Sequence, residues 1–281
     1  MRMPIVPIVF LAVIQGLAEL LPVSSSAHVI VAERLLGLDP SSPEMTFLLV
    51  MLHTGTMFAV ILYFWPRWRA RFLVSDFWRD VAKPLITATM ATAVSGFALK
   101  HWIERSWLRG APKQEVEALF SNLPLIALAL AAVGVLIIVA GKRPEAPARR
   151  GFPGFAHSLW IGLIQGACLP FRGFSRSGAT ISAGLILDEP RALAEDFSFA
   201  LAVVLTPAVI AREARRLALA SGAWQFDAFV PGALGMVFSF ISGLAALRWL
   251  SNWLERGRWS YFGYYCLAAS AGVLMLSRAL R

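Results

Sequence analysis

Gln15-Gly16-Leu17-Ala18-Glu19-Leu20-Leu21-Pro22-Val23-Ser24-Ser25-Ser26-Ala27-His28 interrupts an apolar run with a carboxylate, a proline, three serines and a histidine. The flanking residues, from about 5 and on to about 36, are largely apolar. Gln15 and Glu19 stand four apart and share one face of a helix. Pro22 predicts the end of that helix. Ser24, Ser25 and Ser26 predict a cap for a second helix, whose free N–H groups and positive dipole end suit an anion. His28 falls about one turn into it. A carboxylate inside an apolar run is costly and as a rule functional. The plainer alternatives are a structural serine cap, a Glu19 paired elsewhere in the bundle and a packing histidine at position 28.

The surrounding chain explains why the interruption matters. Of 281 residues, 58% are hydrophobic and only 15% charged, with a mean hydropathy of +0.65. Soluble domains carry roughly 25% charged residues. The bilayer is therefore the expected solvent, and the ten tryptophans and nineteen phenylalanines suit interfacial anchoring. A net charge of +9 raises the question of nucleic acid. The basic residues lie in short tracts between apolar spans, however, and no nucleic-acid motif accompanies them, so no nucleic-acid partner is expected. Cys168 and Cys266 fall in apolar segments and read as small core residues. The first apolar run has no small-residue cleavage site after it, so it is not read as a cleaved signal.

Six stretches of about 20 residues can each cross the hydrocarbon. They are approximately 45–65, 82–103, 123–140, 196–217, 229–250 and 261–278. The region 155–188 behaves like 5–36, with two short apolar runs around the break Arg172-Gly173-Phe174-Ser175-Arg176-Ser177-Gly178. Ala12-Val13-Ile14-Gln15-Gly16-Leu17 also resembles Ile161-Gly162-Leu163-Ile164-Gln165-Gly166. The chain thus divides into two similar halves, about 1–142 and 151–281, forming a single membrane domain. The polar linker Lys142-Arg143-Pro144-Glu145-Ala146-Pro147-Ala148-Arg149-Arg150 joins them.

If each interrupted region is a re-entrant hairpin, each half crosses three times and the second half enters from the opposite face. The expected fold is all-α and polytopic, an inverted repeat of about six transmembrane helices plus two re-entrant hairpins, with its site where the interrupted helices meet. Fully spanning pairs would instead give a parallel repeat. The loop 66–83, with Arg67, Arg69, Arg71, Arg79 and Lys83, and the linker, with Lys142, Arg143, Arg149 and Arg150, fall on one face. That face is expected to be cytoplasmic. Both termini then lie outside, although Arg212, Arg215 and Arg216 run against the bias.

The second break supplies the complementary chemistry. Gly173 and Gly178 permit a tight turn and close backbone approach. Ser175, Ser177 and Thr180 offer hydroxyls, and Arg176 offers a planar fork that matches phosphate oxygens. An ion pair between Arg176 and Glu19 is the structural alternative. Two helix N-termini, an arginine, a histidine, a glutamate and several hydroxyls together suit a phosphate-bearing ligand. Glu19 and His28 could manage protons or hold a metal. Magnesium commonly binds through one or two carboxylates plus substrate phosphates, for which Glu19 with Gln15 suffices.

At these two motifs the chain resembles the undecaprenyl-diphosphate phosphatases, the bacitracin-resistance family, over nearly its whole length. The family's Glu/Gln-x-x-x-Glu falls on Gln15 and Glu19, its Pro-Val-Ser-Ser on Pro22 to Ser25, and its histidine on His28. Its Pro-Gly-x-Ser-Arg-Ser-x-x-Thr falls on Gly173, Ser175, Arg176, Ser177 and Thr180. The resemblance implies a multi-pass protein of the bacterial inner membrane with its site facing the periplasm. It implies removal of one phosphate from undecaprenyl diphosphate with a divalent cation, magnesium or calcium, recycling the carrier lipid of cell-wall synthesis and conferring bacitracin tolerance. It casts Glu19 and Gln15 as the cation side, Ser25 as nucleophile or phosphate contact, His28 as acid or base, and Arg176 as phosphate holder. Gln15, Ser24, Ser26, Gly173, Ser175, Ser177, Thr180 and Arg172 are the expected substrate contacts. Besides the lipid diphosphate and membrane lipids, a homodimeric partner is allowed.

Three positions depart from the family. Gln15 stands where many members carry Glu, Arg172 replaces the motif's proline, and Pro207 lies about one turn beyond Val204, where the family's mid-helix proline would fall. A lipid flippase without hydrolysis is the main rival, since inverted repeats are a transporter design. A glutamate and histidine beside hydroxyls are more than passage requires. The lipid phosphatases with a histidine nucleophile need a histidine after the arginine, and none follows Arg176. A purely structural protein gives no reason for two polar breaks.

Overall fold

A computed structural model describes residues 5–38, 42–74, 76–108, 119–120, 122–148, 151–221 and 226–279. The linker residues Arg149 and Arg150, and the side chain of Arg216, lie outside the described set. The described chain is helical. In order come α1 (Ile5–Leu20), α2 (Ser25–Leu35), α3 (Pro43–Val74), a π-helical turn (Trp78–Ala82), α4 (Lys83–Ser106), α5 (Leu123–Gly141), α6 (Phe155–Cys168), α7 (Arg176–Ile186), α8 (Arg191–Ser221), α9 (Phe226–Glu255) and α10 (Trp259–Ala279).

Five helical stretches are long and apolar enough to cross a membrane: Glu44–Leu73, Trp78–Ser106, Leu123–Gly141, Arg191–Arg212 and Phe229–Glu255. The sixth expected span, α10, has 21 residues but is diluted by tyrosines and serines. Large apolar side chains stand exposed along these helices, among them Met90, Val94 and Phe97 on α4 and Leu128, Val135 and Val139 on α5. A helix that is apolar all round belongs in lipid or in a core. The protein is therefore an all-helical polytopic membrane protein.

One expectation is corrected. The basic tract 66–83 is not a loop. Helix α3 continues through it to Val74, with Pro66 inside the helix, and the π-helical turn follows. The tract stays helical because Arg67 and Arg71, four apart and on one face, both reach buried carboxylates, which holds the last turns in register.

The residues group into two compact units. The first holds Met1–Leu21, Ser25–Trp65 and Ala202–Leu250. In it Ile8, Leu11 and Ala12 of α1 share a core with Ala32 near the end of α2 and with Met45, Leu48 and Leu52 of α3. The end of α2 therefore returns to the beginning of α1, which is a re-entrant hairpin. Helix α9 crosses α1 closely: a Cβ on Gly16 would lie 2.6 Å from the Ser239 carbonyl oxygen, and Ser242 donates to the Ala12 carbonyl at 3.4 Å.

The second unit holds Pro22–Ser24, Pro66–Leu201 and Ser251–Arg281. Its hairpin, α6–α7, is closed at the mouth, where Glu189 just beyond α7 meets His157 in the first turn of α6 at 2.6 Å. Helix α6 has 14 residues, a rise of about 21 Å against a hydrocarbon layer of about 30 Å. The chain turns back before it has crossed. Helix α4 crosses α6 as α9 crosses α1: a Cβ on Gly166 would lie 2.4 Å from the Thr92 carbonyl oxygen, and Ser95 donates to the Leu163 carbonyl at 3.1 Å. Helices α5 and α10 pack together, with Ser270 donating to the Ala127 carbonyl at 2.7 Å.

The basic tracts meet within this second unit. Arg71 donates to the Gly151 carbonyl at 3.3 Å, and the Phe152 N–H donates to the Asp80 carbonyl at 2.8 Å. Arg143 pairs with Asp188 at 2.7 Å, and Arg191 with Glu145 at 2.8 Å. The linker, the α3–α4 turn and the mouth of the α6–α7 hairpin thus share one end of the unit.

Candidate active site

In the first unit, α1 stops at Leu20 because the residue before a proline avoids the helical region. Gln15 and Glu19 occupy its last two turns. Ser25 opens α2. The Gln15 side-chain N–H donates to Glu19 Oε2 at 3.2 Å, and the Ser25 hydroxyl donates to the same oxygen. Gln15 is fully buried and Glu19 half-buried. A carboxylate oxygen that takes both bonds is oriented by one donor and addresses the hydroxyl proton of the other. That is the arrangement of a general base beside a hydroxyl. Ser26 and His28, both half-buried, lie in the first turn of α2. His28 is three residues from Ser25 and on the same face.

Ser24 has a left-handed backbone, with φ 68°. Outside glycine this region is uncommon and strained, and such residues cluster at functional turns. It belongs with Pro22 and Val23 to the second unit, where the Cys266 thiol lies 3.4 Å from the Pro22 carbonyl oxygen.

The second motif is built around the start of α7. Ser175 is its N-cap, accepting from the Gly178 N–H at 3.2 Å, and its hydroxyl lies 3.4 Å from that of Ser177. Gly173 has φ 96°, and a Cβ there would sit 2.5 Å from the Ile126 carbonyl oxygen. Only glycine meets both conditions. Ile126 lies in the first turn of α5, so the break lies near the end of α5 remote from Lys142. Arg176 is the first residue of α7 and is half-buried. Thr180 is spent on scaffolding: its hydroxyl bonds the Arg176 carbonyl at 2.9 Å and meets the Ser198 hydroxyl of α8 at 2.6 Å. Arg172 is exposed, its guanidinium stacked 4.5 Å from the centroid of the Phe120 ring.

Sequence reasoning missed a buried ionic cluster in the second unit. Arg67 contacts Glu195 at 3.0 Å and Asp196 at 3.2 Å, and Arg71 contacts Asp196 at 2.9 Å. Ser251 donates to Glu195. Glu195 and Asp196 are almost wholly inaccessible. Two adjacent acids entering an apolar span, opposite an arginine pair spaced by four, were the available signal. Nothing in the sequence indicated which helices would meet.

Among the described residues no group of three or more histidine, cysteine or acidic side chains is placed to hold a metal ion. The donor set at Glu19 is one carboxylate with a neighbouring amide. That fits a hard cation arriving with substrate phosphates rather than one held in a protein cage.

These features define a class: a polytopic membrane protein with two re-entrant hairpins, one break carrying a carboxylate–hydroxyl pair and the other an arginine at a capped helix N-terminus. Residues 8–272 match the family described as Bacitracin resistance protein BacA. The chain belongs to that family. It is 53% identical to "Undecaprenyl-diphosphatase 2" of Acinetobacter baylyi, an alignment covering 98% of this chain and 99% of that protein. "Undecaprenyl-diphosphatase 2" of Burkholderia ambifaria is 34% identical, over 96% of this chain and 95% of its own. "Undecaprenyl-diphosphatase" of Rhodopirellula baltica is 32% identical, over 97% and 98%.

Proposed function

We propose that this protein hydrolyses undecaprenyl diphosphate to undecaprenyl phosphate and inorganic phosphate, recycling the cell-wall carrier lipid and conferring bacitracin resistance. Family membership and the names of full-length relatives support the substrate. The observation that carries the chemistry is the Ser25 hydroxyl donating to the Glu19 carboxylate at the tip of a re-entrant hairpin.

In this reading Glu19 takes the proton of the attacking O–H, and Ser25 supplies or contacts that nucleophile. His28 returns a proton to the leaving phosphate. Arg176, with Ser175, Ser177 and the α7 N-terminus, holds the phosphate oxygens through charge-assisted bonds. Ser24, Ser26, Gly173 and Arg172 complete the contacts, and Thr180 acts by tying α7 to α8. A divalent cation, magnesium or calcium, would be held by Glu19 and Gln15 together with the substrate, and when bound it neutralises phosphate charge.

We read the chain as one membrane domain of two inverted repeats, 1–142 and 151–281. The order of elements supports this, since a short interrupted pair is followed by three long helices in each half. The matching contacts of Gly16 and Gly166 support it too. The site is assigned to the periplasmic face of the inner membrane. In the second unit the basic tracts share one end, and the second break lies by the opposite end of α5.

The test is phosphate release by purified protein from undecaprenyl diphosphate and shorter isoprenyl diphosphates, with and without magnesium. Release of one phosphate per lipid is expected. Lipid movement across vesicles without release would replace this reading by transport.

A further inference from the structure

Gln165 takes in α6 the place that Gln15 takes in α1. Each precedes a glycine over which a neighbouring helix passes closely. The surroundings differ. Gln15 donates to Glu19, four residues on, whereas the residue four on from Gln165 is Leu169. The amide of Gln165 is fully buried, and its Nε2 donates to the Thr92 hydroxyl at 2.9 Å.

The orientation of that amide follows from the Thr92 bonds. The Thr92 hydroxyl has one proton, directed to the backbone carbonyls of Ala88 at 2.8 Å and Gly162 at 3.0 Å. It can only accept from Gln165. The amide nitrogen therefore faces Thr92, and the carbonyl faces away. Among the described residues, Gln165 Oε1 is a buried acceptor with no protein donor. Such groups are rare in folded proteins because each forfeits its hydration without recompense, and each requires a reason.

Its position supplies one. Gln165 and Cys168 are three apart on one face of α6. Both stand in the last turn of α6, just before the chain enters the second break, and α6 packs along α7, which Arg176 opens. The free carbonyl therefore lies in the last turn of α6, at the entry to the second break. An arginine that opens α7 across the break disfavours a cation there and favours a ligand that brings both negative charge and an O–H.

We propose that Gln165 Oε1 accepts a hydrogen bond from an O–H held beside Arg176: either the protonated oxygen of the substrate's terminal phosphate or the water that enters the reaction. This rests on reading Arg176 as the phosphate-holding residue. Gln165 is then a substrate-side contact contributed by the second hairpin, and the Thr92 hydroxyl fixes its direction.

Gln165→Met and Gln165→Glu are compared with the wild-type protein and Arg176→Ala, by kcat and KM for undecaprenyl diphosphate across pH and by melting in detergent. Methionine has a similar shape and no strong acceptor. It should melt no lower than wild type while kcat/KM falls about ten- to a hundredfold, the loss expected for one hydrogen bond to a charged or reacting group. A rise confined to KM identifies the phosphate O–H, and a fall confined to kcat identifies the water. Glutamate keeps an acceptor and should retain part of the activity, with a pH limb that the wild type lacks. Wild-type kcat and KM in Gln165→Met overturn the inference. If that variant does not fold, an unchanged pH profile in Gln165→Glu overturns it. Full activity in Arg176→Ala instead sinks the phosphate-holding reading on which the inference stands.

Discussion

The Ser25 hydroxyl donates to Oε2 of Glu19 across the break between α1 and α2, and Gln15 donates to the same oxygen from one turn earlier. If Glu19 is the base, Glu19→Ala removes general-base catalysis, a loss of about a hundredfold or more in phosphate release. The protein should remain folded, because Glu19 is half-buried rather than sealed in a core. Ser25→Ala then separates two roles. Near-total loss identifies the serine as nucleophile, and a loss of about tenfold identifies a contact. Wild-type turnover in Glu19→Ala would remove Glu19 from the chemistry.

Arg176 stands at the first position of α7, beside the free N–H groups of that helix's N-terminus. Arg176→Ala should abolish phosphate release. Arg176→Lys keeps the charge but not the planar fork, so it should recover only part of the activity and raise KM. Steady-state kinetics on the purified variants checks this, and equal kinetics for lysine and arginine would sink the two-point contact.

Gly16→Ala and Gly166→Ala should each destabilise the protein by about 1–3 kcal/mol, the usual cost of overpacking. The Ser239 and Thr92 carbonyl oxygens, 2.6 and 2.4 Å from the added Cβ, are backbone and cannot turn aside. Melting in detergent measures the loss. Two alanine variants as stable as wild type would show that α1–α9 and α6–α4 pack less closely than described.

Arg67→Met leaves Glu195 and Asp196 buried side by side, with Arg71 and Ser251 as their remaining partners among the described residues. Breaking one partner of a buried pair costs about 3–5 kcal/mol. The same change combined with Glu195→Gln should restore part of the lost stability, since the excess charge goes with it. A double variant no better than the single one would argue against the coupling.

Chelation should stop turnover without lowering the melting temperature, because the single carboxylate at Glu19 suits a cation brought by the substrate. Phosphate release and melting, each with and without chelator, test this. Unchanged turnover would discard the cation.

Much of this protein was legible along the chain. Apolar length marked the long helices, and the prolines and serines at 22–26 and the glycines and serines at 173–178 marked both breaks. Local backbone chemistry and the thickness of the bilayer dictate these features, and neither needs a distant contact. Glu19, Ser25 and Arg176 could be named because polar groups in apolar runs are costly wherever they stand. Tertiary structure decided the rest. The helical continuation of α3 through 66–74, the union of Arg67 and Arg71 with Glu195 and Asp196, and the left-handed turn at Ser24 depend on which helices pack together. So does the stranded carbonyl of Gln165, because a side chain's hydrogen-bond partners are settled only when helices far apart in sequence meet.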